Sequence, residues 1–327
     1  MSVFNNRIGR RGVLAGGAAA AAFGPAVAQE IAWPTRPVKV IVPFPAGGAS
    51  DFIARLWGDK LQGVYGQPFV LDNRGGASGT IGLESVIRSQ PDGHTLLQTP
   101  NSPITVLPHL RKVNYDATRD LLPIARVGDM LTGFVIVPSL GINTIAELIA
   151  YAKKNPGKLS YGSAGLGTAT HLRIEMLKLR AGIDILHVPY RGSGEALNDL
   201  LAGNIHLMNE IITLPHVKAG KLKLLAMNYP TRHPDFPDVP TMTEVGFPNS
   251  DVPIWYSLHL PAGAPKELVT RLNAKIVEIA KTEDMIRRMR EINIVVPIQT
   301  PEELAAYRDA DFAANGMLVK EANVRLD

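Results

Sequence analysis

Val38-Lys39-Val40-Ile41-Val42-Pro43-Phe44-Pro45-Ala46-Gly47-Gly48-Ala49-Ser50-Asp51 reads as a strand, a glycine turn and a helix start in immediate succession. Val38 to Val42 is a short β-branched apolar run of the kind that fills a buried parallel strand. Beyond Asp51, the residues Phe52, Ile53, Leu56 and Trp57 recur at helical spacing. Such a turn presents N–H groups without intrahelical acceptors, and the positive end of a helix dipole, to one point. An anion is the guest that this point favours. A tight βα turn needs the same residues, with Gly47 and Gly48 turning the chain and Ser50 or Asp51 capping the helix. The turn alone does not choose between the two.

The pattern recurs along the chain. Phe69-Val70-Leu71 reads as a strand entering a second glycine loop, Asp72 to Thr80, before a helix over 81–88. Pro91-Asp92-Gly93 is a turn signal, and His94 to Thr99 is a short strand. Asn101 and Ser102 follow at that strand's C-terminal end, where open α/β sheets place ligands. Further strands are expected over 122–127 and 134–137. Thr144 and Glu147 have capping-box spacing and open a helix to about Lys154. A strand over 159–161 enters Gly162-Ser163-Ala164-Gly165-Leu166-Gly167-Thr168, followed by a helix over 169–180. A strand over 185–188 ends in Pro189-Tyr190-Arg191-Gly192-Ser193-Gly194, followed by a helix over 195–201. Segments 205–208, 214–218 and 222–227 complete this half.

A proline-rich stretch through Pro230, Pro234, Pro237, Pro240, Pro248 and Pro253 reads as a return linker. Beyond it come a strand over 255–260, a helix over 266–282, a strand over 293–296 and a last helix after Pro301. This order predicts an α/β chain whose first domain, 29–130 and 231–327, is interrupted by a second, 131–230. Two crossings between domains make a hinged cleft, with hinges expected near 128–133 and 228–236.

A chain of 327 residues that is 46% hydrophobic can bury a large core, and 20% charged residues gives no sign of disorder. Residues 1–28 read as an export signal. Arg10-Arg11 precedes an alanine-rich apolar run from Val13 to Phe23, and Ala26-Val27-Ala28 offers a cleavage site near Ala28. The paired arginines fit a twin-arginine signal and the basic start fits a plain secretory one equally well. The run is short of the ~20 residues of a membrane span. Removing Arg7, Arg10 and Arg11 with this segment takes the net charge from +4 to +1, leaving no case for a nucleic-acid partner. The absence of cysteine excludes disulfides and thiolate metal sites.

Enzymatic motifs are incomplete. A nucleophile elbow around Ser163 would need glycine where Tyr161 stands. Gly165-Leu166-Gly167-Thr168-Ala169-Thr170 lacks the third glycine of a dinucleotide fingerprint, and no P-loop pattern exists. The histidines have no metal-type pairing at helical spacing, and His171 falls in a first helical turn, where it can cap or meet a ligand. No cofactor, metal or catalytic residue is expected. The rival reading is an exported hydrolase using Ser163 with His171. Two strand–glycine-loop–helix cradles, one in each half, can clamp an anion from both sides of a cleft.

These residues resemble the extracytoplasmic solute receptors of tripartite tricarboxylate transporters, the Bug-type proteins. The match runs through Pro43 to Asp51, Asp72-Asn73-Arg74 with Gly75, Gly76, Gly79 and Gly82, and Pro91 to Leu97. It continues through Tyr161 to Thr168 with His171, His187 to Gly192, Gly203, Pro215 to Leu222 and Pro237 to Thr241. The resemblance implies a periplasmic-binding-protein fold of the Venus-flytrap, type II-like kind with two crossover segments. It also implies a monomeric periplasmic receptor that hands a small carboxylate to the transporter's membrane subunits. Main-chain N–H groups at Ala46, Gly47, Ala49 and Ser50, and at Ser163, Gly165, Leu166, Gly167 and Thr168, are then expected to hold ligand carboxylates. Asp51 takes the role of loop-ordering acid, and Phe44, Asn101, Ser102, His171, Tyr190 and Arg191 are wall candidates. One departure borders the cleft: Asn209-Glu210 stands where relatives usually carry a Phe-Asp pair and a longer connection, which makes Glu210 a ligand candidate. Two cradles favour a dicarboxylate, and Phe44 with Tyr190 admits a flat ring between them. Phosphate is disfavoured because neither cradle contributes a lysine.

Overall fold

The structure, a computed structural model, describes residues 32–322 and Met1, so the expected export signal and its cleavage point fall outside the described segment. In chain order the main elements begin with β1 (Val38–Val42), α1 (Ala49–Tyr65), β2 (Phe69–Asn73), α2 (Thr80–Ile87), β3 (Thr95–Pro100) and β4 (Leu121–Met130). The middle of the chain supplies β5 (Gly133–Ile136), α3 (Ile145–Lys154), β6 (Ser160–Ser163) and α4 (Ala169–Ala181). It continues with β7 (Leu186–Pro189), α5 (Ser193–Ala202), β8 (Leu207–Met208) and β9 (Lys223–Met227). The return consists of β10 (Trp255–Pro261), α6 (Lys266–Ala280), α7 (Glu283–Glu291), β11 (Ile294–Val295) and α8 (Pro301–Ala322).

Val38, Val40, Ile41 and Val42 are buried and only Lys39 of β1 reaches water. Helical crossovers join parallel strands and cover both faces of their sheet, which suits a strand buried on both sides. Lys39 accordingly faces Val70 of β2 on one side and Thr95 of β3 on the other, both parallel. Strand order in this six-stranded sheet is β11-β4-β10-β3-β1-β2, and in the second, five-stranded sheet it is β7-β6-β8-β5-β9. Each sheet holds a parallel trio and one inserted antiparallel strand: β10 between β3 and β4, and β5 between β8 and β9.

The chain passes between the sheets tightly. Only Leu131 and Thr132 separate β4 from β5. The return passage lies beside it: the Asn228 N–H donates to the Thr132 carbonyl at 2.7 Å, and Met130 donates to Ile254 at 2.8 Å. Gly128 to Met130, expected at the crossing, remain paired inside β4 because β10 and β11 extend alongside them. Separate hydrophobic cores result. Trp57 of α1, fully buried, anchors one by donating its indole N–H to the Val127 carbonyl at 2.9 Å. Phe134, Tyr161 and Leu207 sit in the other. Helix α8 packs along β4 and reaches α4, where Arg180 pairs with Glu321 at 3.3 Å.

The helix expected over 266–282 is found as α6, and a second one, α7, follows it where none was expected. Thr282 accepts the Met285 N–H and caps α7, so the amphipathic run breaks where a threonine offers the backbone another partner. Residues 102–106, for which no element was expected, coil into a single π-type turn on Asn101.

At Gly133 a Cβ would fall 2.1 Å from the Ala226 carbonyl oxygen of neighbouring β9. Backbone yields less readily than a side-chain tip, so Gly133→Ala should cost at least about 1–3 kcal/mol. Urea denaturation should show a lower midpoint at an unchanged slope. An unaltered midpoint would mean that the β5–β9 pair can part at no cost.

Candidate functional site

Loops that follow the C-terminal ends of parallel strands enclose one cavity of about 90 Å³. Phe44, Pro45, Ala46, Gly48, Ala49 and Ser50 come from the turn after β1, and Ser102 from the turn after β3. Ala164, Thr168 and Thr170 follow β6, Gly192 to Glu195 follow β7, and Glu210 follows β8; Tyr256 of β10 completes the wall.

At the start of α1, Gly47 takes a left-handed φ of 82° and Gly48 is the N-cap. The Asp51 and Phe52 N–H groups bond back to the Gly48 carbonyl. Those of Ala49 and Ser50 lie in the first turn, where no intrahelical acceptor exists. Asp51, 2% exposed, holds this geometry from behind by accepting the Gly47 N–H and the Arg55 side chain, each at 3.0 Å. Burial would raise the Asp51 carboxyl, but the Arg55 and Gly47 hydrogen bonds outweigh it and keep the group below its ordinary 3.8. Asn73 secures the other side by donating to the Phe44 carbonyl at 3.0 Å.

The loop after β6 differs from expectation. Three of its N–H groups are already engaged within the loop: Gly165 with Ser163 Oγ (3.2 Å), Gly167 with His171 Nδ1 (3.3 Å) and Thr168 with the Gly165 carbonyl (3.3 Å). The loop faces the cavity with side chains instead, Thr168 and Thr170, whose hydroxyls lie 3.0 Å apart. Leu166 is exposed and its carbonyl accepts Ser78 Oγ at 2.5 Å.

The second helix start at the cavity belongs to α5, capped by Gly192. It meets the first directly. A Cβ on Gly48 would lie 3.1 Å from Ser193 Oγ, and one on Gly194 would lie 3.3 Å from the Gly47 carbonyl oxygen. Gly192-Ser193-Gly194 carries the same glycine-before-helix signal as Gly47-Gly48, and that signal could have located this edge.

Other expected residues lie elsewhere. Asn101 donates to Asp311 of α8 at 3.1 Å, behind the cavity. The Tyr190 hydroxyl donates to Asp199 at 2.6 Å, and Arg191 is exposed; neither lines the cavity, so no aromatic sandwich forms between Phe44 and Tyr190. Tyr256 had no local sequence signal, because it arrives on a strand inserted from the far end of the chain. Glu210 is 3% exposed and its Oε2 has no hydrogen-bond partner. Burial pushes its carboxyl up to about 8 against the opposing pull of Arg173 and the Ile211 N–H.

Ser163 Oγ lies 2.7 Å from His187 Nε2, so the serine's imidazole partner is His187 and not His171. The two imidazoles stack at 4.2 Å. Burial lowers His171 to about 4 and His187 to about 3, leaving both neutral and poorly basic. Ser163 is fully buried and outside the cavity wall. The pair braces the loop.

Residues 53–324 match the tripartite tricarboxylate transporter family receptor, and the chain belongs to that family. Protein BugT of Bordetella pertussis is 34% identical over 298 residues, covering 90% of this chain and 91% of BugT. Rhodopseudomonas palustris Rpa4515 with adipate superposes with a TM-score of 0.86 at 32% identity, covering 90% of this chain and 99% of that one. MatC (Rpa3494) of the same organism, with bound malate, gives 0.83 at 29% identity over 88% of this chain and 100% of that one. The fold is thus that of the two-domain α/β solute-binding proteins, and these relatives are receptors, not enzymes.

Asp51→Ala should cost about 1.5–3 kcal/mol at pH 7, the scale of hydrogen bonds to a charged group. Because the folded Asp51 titrates below 3.8, the wild-type advantage should be complete above that value and vanish as pH falls through the lowered one. Parallel denaturation of both proteins from pH 7 to pH 2 measures the gap. A constant gap would assign the loss to packing.

Proposed function

We propose that this chain is a periplasmic receptor that captures a small organic dicarboxylate and delivers it to the membrane subunits of a tripartite tricarboxylate-type transporter. One observation carries the reading: the starts of α1 and α5 converge on the same cavity. Each helix start directs N–H groups and a positive dipole end at that space. Charge-assisted hydrogen bonds are roughly twice as strong as neutral ones, so two such ends offset much of the desolvation of two carboxylates. Adipate and malate, bound by the two structural relatives, are both dicarboxylates. Among the described residues no lysine or arginine lines the cavity, which disfavours phosphate.

In this reading Phe44, Ala46, Ala49, Ser50, Ser102 and Thr168 touch ligand together with Gly48, Thr170 and Ser193. Ser163, Gly165, Gly167 and His171 hold the wall from behind. Residues 29–130 with 231–327 form one lobe and 131–230 the other, hinged at Leu131-Thr132 and in the return segment beyond Met227. The receptor works as a monomer, after removal of residues 1–28.

Calorimetry on ligand-stripped protein should rank a diacid such as adipate above its mono-amide by at least tenfold, the scale of one lost hydrogen-bonded charge. Equal affinities would show that one helix start alone reads a carboxylate, and the dicarboxylate assignment would fall.

A further inference from the structure

Two acids line the cavity, and they differ in kind. Glu195 is exposed at the rim, whereas Glu210 is 3% exposed with its Oε2 unpartnered. Among the described residues no cation lies within 4.0 Å of the Glu210 carboxylate. The nearest influence, Arg173 of α4, gives its guanidinium to the Asn209 side chain at 3.2 Å and to the Val252 carbonyl. The other groups facing Glu210 are the Tyr256 phenol from β10, itself pushed up by burial and by the Glu210 charge, and the start of α1 at Ser50. Arg173 and the Ile211 N–H favour the carboxylate, but burial outweighs them.

A neutral carboxyl changes the chemistry of the cavity. An ionised glutamate only accepts hydrogen bonds and would repel an anionic guest, while the neutral acid brings one O–H donor. An O–H facing a carboxylate makes one of the short, charge-assisted bonds that anion sites use. We propose that Glu210 determines ligand choice by donating its O–H to one carboxylate of the captured dicarboxylate, so that this receptor takes up its ligand together with a proton held on Glu210. The inference rests on the dicarboxylate reading above. Burial, which holds the empty site's carboxyl protonated up to about 8, supports the same picture. A ligand carboxylate beside it favours the neutral form further.

The test is adipate calorimetry from pH 6 to pH 10 on wild type, Glu210→Gln and Glu210→Ala. Wild-type affinity should be flat at low pH, fall by up to tenfold per unit above about 8, where Glu210 of the empty site ionises, and level off once bound Glu210 ionises as well. Glu210→Gln keeps a donor that cannot be lost, so its affinity should not vary with pH and should exceed that of wild type at pH 10. Glu210→Ala should bind at least tenfold more weakly than Gln at every pH. A wild-type affinity independent of pH would overturn the role of Glu210, and so would a folded Gln variant no better than Ala. If wild type binds neither adipate nor malate at any pH, the dicarboxylate reading fails and this one with it. Binding without the pH response sinks only Glu210. Melting curves without ligand give a separate check. A raised folded value means stability is lost as pH climbs from 4.5 to about 8, so the Gln variant should gain on wild type over that window and hold its lead above it. A lead that does not change with pH would contradict a neutral Glu210.

Discussion

The first turn of an α-helix leaves N–H groups with no acceptor in their own helix, and water or a guest must take them. Two helices, α1 and α5, bring this deficit to one cavity of about 90 Å³. Most of the surrounding chemistry keeps those ends bare and close together. Glycines at 48 and 194 remove the Cβ atoms that would wedge the backbones apart. Asp51 absorbs the Gly47 N–H from behind, so that the remaining donors face forward. The β6 loop shows the contrasting solution: Ser163, His171 and the Gly165 carbonyl close the Gly165, Gly167 and Thr168 N–H groups internally, and that loop lines the cavity with Thr168 and Thr170.

Two buried carboxyls, one behind the α1 turn and one lining the cavity, illustrate how environment sets charge. Asp51 and Glu210 are 2% and 3% exposed. Asp51 has a guanidinium and a backbone N–H bonded to it and titrates low. Glu210 has no such bonded cation, and burial drives it the other way. Equal burial with unequal partners gives an acid that scaffolds a loop and an acid held neutral.

The order of strands and helices was legible because each element is bounded by a local signal: the β-branched run at Val38, the glycines after it, and the Thr144–Glu147 box. Every strand expected from periodicity appears within a few residues of its expected range. What stayed hidden depends on partners distant in the chain. Helix α7 needed the Thr282 cap, whose preference is visible only once α6 is known to stop at Ala280. Tyr256 reaches the cavity because β10 inserts between β3 and β4, a long-range pairing with no local mark. The β6 loop was read as a backbone cradle because glycine spacing reports conformational freedom and not where an N–H points. Its neighbour Gly192-Ser193-Gly194 carries the same spacing and does line the cavity. At this site, glycine pattern located the loops, and side-chain hydrogen bonding decided which of them opens its backbone to the cavity.

Ser102 Oγ accepts the Ala169 N–H at 2.9 Å, and Ser78 Oγ donates to the Leu166 carbonyl at 2.5 Å, each joining a loop of the first sheet to one of the second. The Ser78 bond lies outside the cavity wall. With the hinged lobes proposed above, a bond of this kind favours the shut arrangement whatever occupies the space inside, and so multiplies the apparent affinity for every guest by the same factor. Retention and selectivity are therefore separable properties of this receptor. A hydroxyl gained or lost on the lips of the cleft shifts how long any cargo is kept, while the residues of the wall decide which cargo it is.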